Sequence, residues 1–276
     1  MRDPQTVVVS SGDELVLVKP TGESIAISDA DGARANVLLT RLATRQAITS
    51  IDEDDCDLVD LLVAKGIVLR GGRDLASRIA RPGSKQVCKN LVLGVSGAVY
   101  AAHVVNYVWP LRYQFCERLD VVLTESARHF VVPEAFTRLG ARVFGDLFAL
   151  YPDVRVPHIE LAQQADMVLI LPASSHTLHK LASGACSDML SLIVMATRAP
   201  VVVAPSMNAA LWTSPAVQRN VTQLRADGFY VIEPSIGYAV SAGEDAQPEL
   251  GGPGVSAINV ADALAAVLAA HKSRGR

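Results

Sequence analysis

The sequence predicts an α/β protein on a Rossmann-like (flavodoxin-like) parallel sheet, preceded by a small α+β winged-helix-like domain. Three observations carry this. From about residue 88 onward, strand-length apolar runs alternate with helical segments, the pattern of parallel strands joined by right-handed crossovers. Those runs are apolar throughout rather than alternating, so both faces of each strand are buried. Upstream, residues 6–27 hold short β-rich runs split by turn residues, and two helical patterns follow.

The first three runs are Thr6–Ser10, Glu14–Lys19 and Glu23–Ser28, with Ser11-Gly12-Asp13 and Pro20-Thr21-Gly22 as turns. A helical pattern from about Asp31 to Gln46 places Val37, Leu38, Leu42 and Ala43 near helical spacing. A second, from about Asp54 to Ala64, puts Leu58, Leu61 and Leu62 on one side and stops at Gly66. Ile67-Val68-Leu69 reads as a returning strand, closing a domain over residues 1–72. So small a unit buries little core alone and is expected to dock on the rest. A Gly-, Pro- and Arg-bearing linker spans 73–87. The main domain, 88–271, carries strands expected at 90–95, 119–124, 166–171, 200–204 and 229–232. Helices are expected at about 97–108, 126–138, 175–183, 186–197, 214–226 and 259–270.

Bulk properties exclude several classes. Half of the 276 residues are hydrophobic, 19% are charged, and the net charge is −3 with the signs mixed. That suits a large buried core and offers no basic stripe for nucleic acid. Residues 90–111 lack Asp, Glu, Lys and Arg, but Gly94, Ser96 and Gly97 interrupt them and Pro110 ends them. Strand, turn and buried helix explain that stretch better than a membrane span. Cys56, Cys88, Cys116 and Cys186 show no paired or metal-type spacing, which implies a reduced, cytoplasmic setting. His103, His129, His176, His179 and His271 likewise show no metal-ligand spacing.

Ligands of such sheets bind at the carboxyl ends of the strands. The first end is Gly94-Val95-Ser96-Gly97, small enough for a phosphate to approach backbone N–H groups at a helix start, though a plain tight turn reads the same. The second is Thr124-Glu125-Ser126-Ala127, where hydroxyls at a helix start serve equally as caps. The third, Pro172-Ala173-Ser174-Ser175-His176-Thr177, has more hydroxyls than one cap needs, which points to a polar ligand. The fourth, Pro205-Ser206-Met207-Asn208-Ala209-Ala210-Leu211-Trp212, sets one amide among apolar neighbours. His158, in Val156-Pro157-His158-Ile159, precedes the helix leading to the third strand end; a lone histidine is also an ordinary surface or core residue.

Together these segments resemble the homo-oligomeric flavin-containing cysteine decarboxylases, which include phosphopantothenoylcysteine decarboxylase and the peptidyl-cysteine decarboxylases of lanthipeptide and related pathways. Residues 172–177 resemble the family's PASANT motif, with His176 where the motif has Asn. Residues 205–212 resemble PxMNxxMW, with Leu211 in place of the second Met. His158 occupies the catalytic-histidine position, and the likeness covers about 88–270. The flavin prenyltransferases share the fold but resemble this chain less.

The resemblance implies a flavin, FMN with FAD as the alternative, held by Ser96, Gly97, Thr124, Ser126, Ser174, Ser175, Thr177 and Ser206. It implies His158 as catalytic base, Asn208 as the catalytic amide holding the substrate carboxylate, and Met207 beside the substrate. Such a site oxidises a cysteine so that its carboxylate leaves as CO₂, and the family assembles as trimers, grouped into dodecamers. The stretch from Pro234 to Val255 contains no cysteine. In the resemblance this favours release of an aminoenethiol over its reduction. The substrate so implied is a precursor peptide with a C-terminal cysteine; phosphopantothenoylcysteine and a non-catalytic regulatory subunit are the alternatives. The first domain resembles leader-peptide recognition elements, with a dimerisation module or a DNA-binding winged helix as alternatives. The acids Asp52, Glu53, Asp54, Asp55, Asp57 and Asp60 weaken the DNA reading.

Overall fold

The computed structural model describes residues 7–11, 14–19, 24–27, 32, 35, 58, 62, 86–238, 248–252, 254–257 and 259–274. The main domain builds on β4 (Cys88–Val95), β5 (Cys116–Leu123), β6 (Arg142–Phe144), β7 (Met167–Ala173), β8 (Val201–Pro205) and β9 (Tyr230–Ile232). These six are parallel and lie in the order β9-β8-β7-β4-β5-β6. Renumbered within the domain, that is the Rossmann order 3-2-1-4-5-6, with its reversal between β4 and β7.

Side chains alternate across this sheet as the pleat requires. Leu91, Leu93, Met167 and Leu169 face one core, and Val92, Val168 and Ile170 the other. The first core is covered by α1 (Val105–Pro110), α2 (Pro133–Thr137) and α8 (Val260–Arg274). The second is covered by α3 (Pro157–Gln164), α4 (Ser175–Ala182), α5 (Met189–Ala196), α6 (Ala209–Trp212) and α7 (Pro215–Ala226). Local sequence starts several of them. Asp188 and Ser191 form a reciprocal capping box on α5, and Ser214 caps α7 ahead of Pro215.

The strand expectations from 90 to 232 hold, with ends shifted by a few residues. The single helix expected over 97–108 is instead a 3-10 turn at Val99–His103, then α1, then a π turn at Leu111–Phe115. No side chain caps the start, and Pro110 offers no N–H to the carbonyl four residues back, so the wider turn takes over. The helix expected over 126–138 is likewise split, into a 3-10 turn at Ser126–His129 and α2. The strand β6 has no apolar run to announce it: it is three residues long at an open edge. Its Arg142 makes a bidentate pair with the buried Asp120 at 2.7 and 2.8 Å. No helix among the described residues is long and apolar enough to cross a membrane.

The amino-terminal strands form as expected, at β1 (Val7–Ser11), β2 (Glu14–Val18) and β3 (Ser24–Ile27). They do not make a sheet of their own. β1 pairs antiparallel with β9, and the meander extends the large sheet to nine strands. Val7, Val9, Val16 and Val18 enter the α8-side core, while Val8, Leu15 and Leu17 pack with Ala35, Leu58 and Leu62 on the other face. Those last three residues are helical, as expected for their segments. The rest of both helices, the strand at 67–69, the boundary at 72 and nearly all of the linker lie outside the described residues.

Candidate functional site

Two turns flank the point where the strand order reverses: the one after β4 and the one after β7. Ser96, 1% exposed, joins them. Its hydroxyl donates to the Pro172 carbonyl at 2.7 Å and accepts the Ser174 N–H at 2.8 Å. The hydroxyl proton is therefore committed, and Ser96 holds the crevice in shape with one lone pair to spare.

Gly97 meets the second turn. A Cβ there would lie 2.3 Å from Ser126 Cβ and 3.1 Å from the Ser126 carbonyl carbon. Neither atom yields without moving the backbone. Gly97→Ala is expected to cost about 1–3 kcal/mol by overpacking, and Gly97→Ala/Ser126→Gly to recover most of it. Urea unfolding of both variants checks this; equal stability of Gly97→Ala and the parent would refute the close fit.

Thr124 behaves as a cap: its Oγ1 accepts the Ala127 N–H at 3.3 Å. Its own N–H donates to the Val95 carbonyl at 3.0 Å, drawing the second turn onto the first. Ser126 is exposed. In the third turn Ser174 caps α4, accepting the Thr177 N–H, and its hydroxyl pairs with Thr177 Oγ1 at 3.1 Å. Much of the hydroxyl surplus read from the sequence is thus satisfied internally. Ser175, the first residue of α4, is half-buried and His176 exposed. The fourth turn joins the third through the Ser206 N–H, which donates to the Ala173 carbonyl at 3.0 Å.

Asn208 caps α6: Oδ1 accepts the Leu211 N–H at 2.8 Å. This fixes the amide's orientation and leaves both Nδ2 hydrogens for another acceptor. Asn208 is exposed, while Met207 beside it is half-buried against the second core. The four turns are therefore one connected unit.

His158 stands apart from that unit, as the second residue of α3, half-buried between the exposed Val156 and Ile159. Among the described residues no hydrogen bond ties it to any of the four turns. The helix start beneath it is rigid, because Glu160 accepts the N–H groups of Arg155 (2.7 Å) and Val156 (3.2 Å). Those two bonds pull the Glu160 carboxyl below its usual range. Cys88 and Cys116, register partners on β4 and β5, are excluded as nucleophiles: burial pushes both thiols up to about 12.

The donor set fits the phosphate of an anionic ligand. The first, third and fourth turns carry no acidic residue, and the start of α4 offers N–H groups and positive potential beside Ser175.

The comparisons agree with that geometry. The model of the family described as Flavoprotein matches residues 79–251. The coenzyme A biosynthesis bifunctional protein CoaBC of Mycobacterium bovis is 38% identical over 159 residues, 57% of this chain. That of Bacillus subtilis is 39% identical over 153 residues, 54% of this chain. The chain spans only 37% of the length of either relative. Among solved structures, the FMN-dependent cysteine decarboxylase TvaF from thioviridamide biosynthesis is 36% identical at a TM-score of 0.50. The match covers 53% of this chain and 90% of TvaF. SpaF, also an FMN-dependent cysteine decarboxylase, is 34% identical at 0.53, covering 64% and 97%. A PPC decarboxylase mutant complexed with pantothenoylaminoethenethiol, 24% identical at 0.55 and covering 67% and 98%, shares the fold.

Proposed function

The chain belongs to the Flavoprotein family, and on that premise we propose that it is an FMN-dependent decarboxylase acting on the carboxylate of a cysteine. The observation that carries this is the joined set of turns at the reversal of strand order, with the Asn208 amide held out from the fourth. FMN is the flavin named for TvaF and SpaF, and FAD the alternative. The start of α4, Ser175, Ser126 and the Gly97 backbone would hold it. When bound, the flavin would supply a hydride acceptor for the cysteine β-carbon, so that C–SH could become C=S, an electron sink for the carboxylate two bonds away.

The residues of this chain do the rest. His158 takes the thiol proton as the hydride leaves, and returns a proton after the C–CO₂ bond breaks. Asn208, its Oδ1 engaged by Leu211, donates from Nδ2 to the substrate carboxylate. Met207 lines the apolar side. Phe148 and Leu150, 90% and 99% exposed in the segment before His158, offer an apolar surface suited to a second copy of the chain. This supports self-assembly, and the resemblance implies a trimer, or trimers grouped into a dodecamer.

Two substrates share this chemistry. The identities to the CoaBC proteins favour phosphopantothenoylcysteine. A peptide ending in cysteine is the second reading, favoured by the likeness to TvaF and SpaF and by the cysteine-free stretch from Pro234 to Val255. Incubating the purified protein with each substrate and weighing the products separates them. Loss of about 44 Da from phosphopantothenoylcysteine is decarboxylation with the enethiol reduced, and about 46 Da is release of the enethiol itself. Turnover of the peptide alone would reverse the preference. A protein that takes up neither FMN nor FAD, and turns over neither substrate, would overturn the whole reading.

A further inference from the structure

Beyond β9 the chain leaves the large sheet as an antiparallel pair, β10 (Ser235–Tyr238) and β11 (Pro248–Gly252), in which Ser235 faces Gly252. β11 packs against α6, the short helix capped by Asn208. The two roots of the pair are pinched together. Gly254 has φ +72, and a Cβ there would lie 2.0 Å from the Glu233 carbonyl oxygen. Only glycine fits so near a fixed backbone atom in that conformation.

Each root is also held by a buried polar group with no part in the mechanism above. Glu233, 6% exposed, pairs with the Arg225 guanidinium and accepts from Ser10 Oγ at 2.9 Å. Arg225 Nε donates to the same Ser10 hydroxyl at 2.8 Å, and the Glu233 N–H donates to the Val8 carbonyl at 2.7 Å. The upstream root is thereby fastened to β1, far away in sequence. At the downstream root, Tyr107 Oη donates to the Val255 carbonyl at 2.7 Å and lies 2.9 Å from Tyr100 Oη. With its one proton given to Val255, Tyr107 receives that of Tyr100. Burial raises the Tyr107 phenol, so it keeps this proton. The downstream root is thus tied to α1.

We propose that Glu233 and Tyr107 are positioning residues, which set the β10–β11 pair against α6 and so fix where the Asn208 amide presents its donors. An ion pair at a buried position costs desolvation that an apolar pair of the same shape avoids, so its gain is in defined geometry. The consequence for substrate rests on the function proposed above; the structural link from the roots to α6 does not.

Two variants and two kinds of measurement test this. Glu233→Gln and Tyr107→Phe each keep size and remove one tie. Each is expected to raise KM for the decarboxylated substrate about fivefold, with kcat within about twofold and flavin content unchanged. Amide exchange over 209–212 should quicken in both variants, while that of β4 and β7 stays slow. Unchanged KM with unchanged exchange would overturn the proposal, as would kcat and flavin falling in step with the melting temperature. Should the parent turn over neither substrate, the exchange measurement still decides, because it needs no activity. If Glu233→Gln fails to fold with Arg225 unpaired, Tyr107→Phe alone carries both readouts.

Discussion

Replacing His158 by Asn is expected to lower kcat by at least about 10²-fold, the low end for a general acid–base group, while the protein keeps its flavin. The reason is spatial. The four turns are joined by Ser96, the Thr124 N–H, Ser174 and the Ser206 N–H, and none of those bonds involves His158. Its loss should therefore spare the crevice, and Pro157 with the Glu160 cap should still start α3. Absorbance of bound flavin per chain and steady-state turnover measure the two effects separately. Loss of colour, or activity within threefold of the parent, would make His158 a structural residue. The companion change is Asn208→Asp rather than Asn208→Ala. Alanine removes the cap on α6 and costs about 1 kcal/mol for that alone. Aspartate keeps the cap but turns a donor into a charge that repels the substrate carboxylate, so KM should rise with flavin and stability unchanged.

What was legible in the sequence follows from what each residue's own neighbours determine. The strands at 167–173 and 201–205 are readable because burial on both faces makes them apolar throughout, and those at 88–95 and 116–123 through the apolar runs of their carboxyl halves. Their order is not readable, since parallel pairing leaves no mark in either strand. The same limit hid the fate of the amino-terminal meander. Its turns are plain in Ser11-Gly12-Asp13 and Pro20-Thr21-Gly22, but its pairing with β9 joins segments more than 200 residues apart. At the site, the hydroxyl-rich turn after β7 stands out in composition. Which hydroxyls are free does not, because Ser96 is satisfied by Pro172 and Ser174, partners that only the fold brings near, while Ser174 is taken up locally by Thr177. Glu233 gave one faint signal, an acid directly after an apolar strand, and Tyr107 gave none.

Deleting residues 1–80 is expected to damage the whole protein, not merely its choice of substrate. The sequence alone suggests a docked accessory whose removal would spare turnover of a small substrate. The paired strands β1 and β9 argue otherwise. Removal would bare the edge of β9 and strip Val7, Val9, Val16 and Val18, each 2% exposed or less, from the core beneath α8. Four buried valines at roughly 1.5–3 kcal/mol each amount to about 6–12 kcal/mol, a figure comparable with the total stability of a domain. TvaF, matched over 90% of its length by 53% of this chain, shows that the fold exists with less chain around it. In this protein, however, α8 packs on β2 and β3 as well as on the main domain, so its seat is shared between both. The truncated chain should therefore be insoluble, or melt more than about 10 °C lower at a few degrees per kcal/mol. Val9→Asp, which buries a carboxylate opposite Ile232, should produce the same defect from a single position. A soluble 81–276 fragment with the parent's melting temperature and flavin content would show that the meander merely rests on β9, and would return it to the part of a detachable docking module.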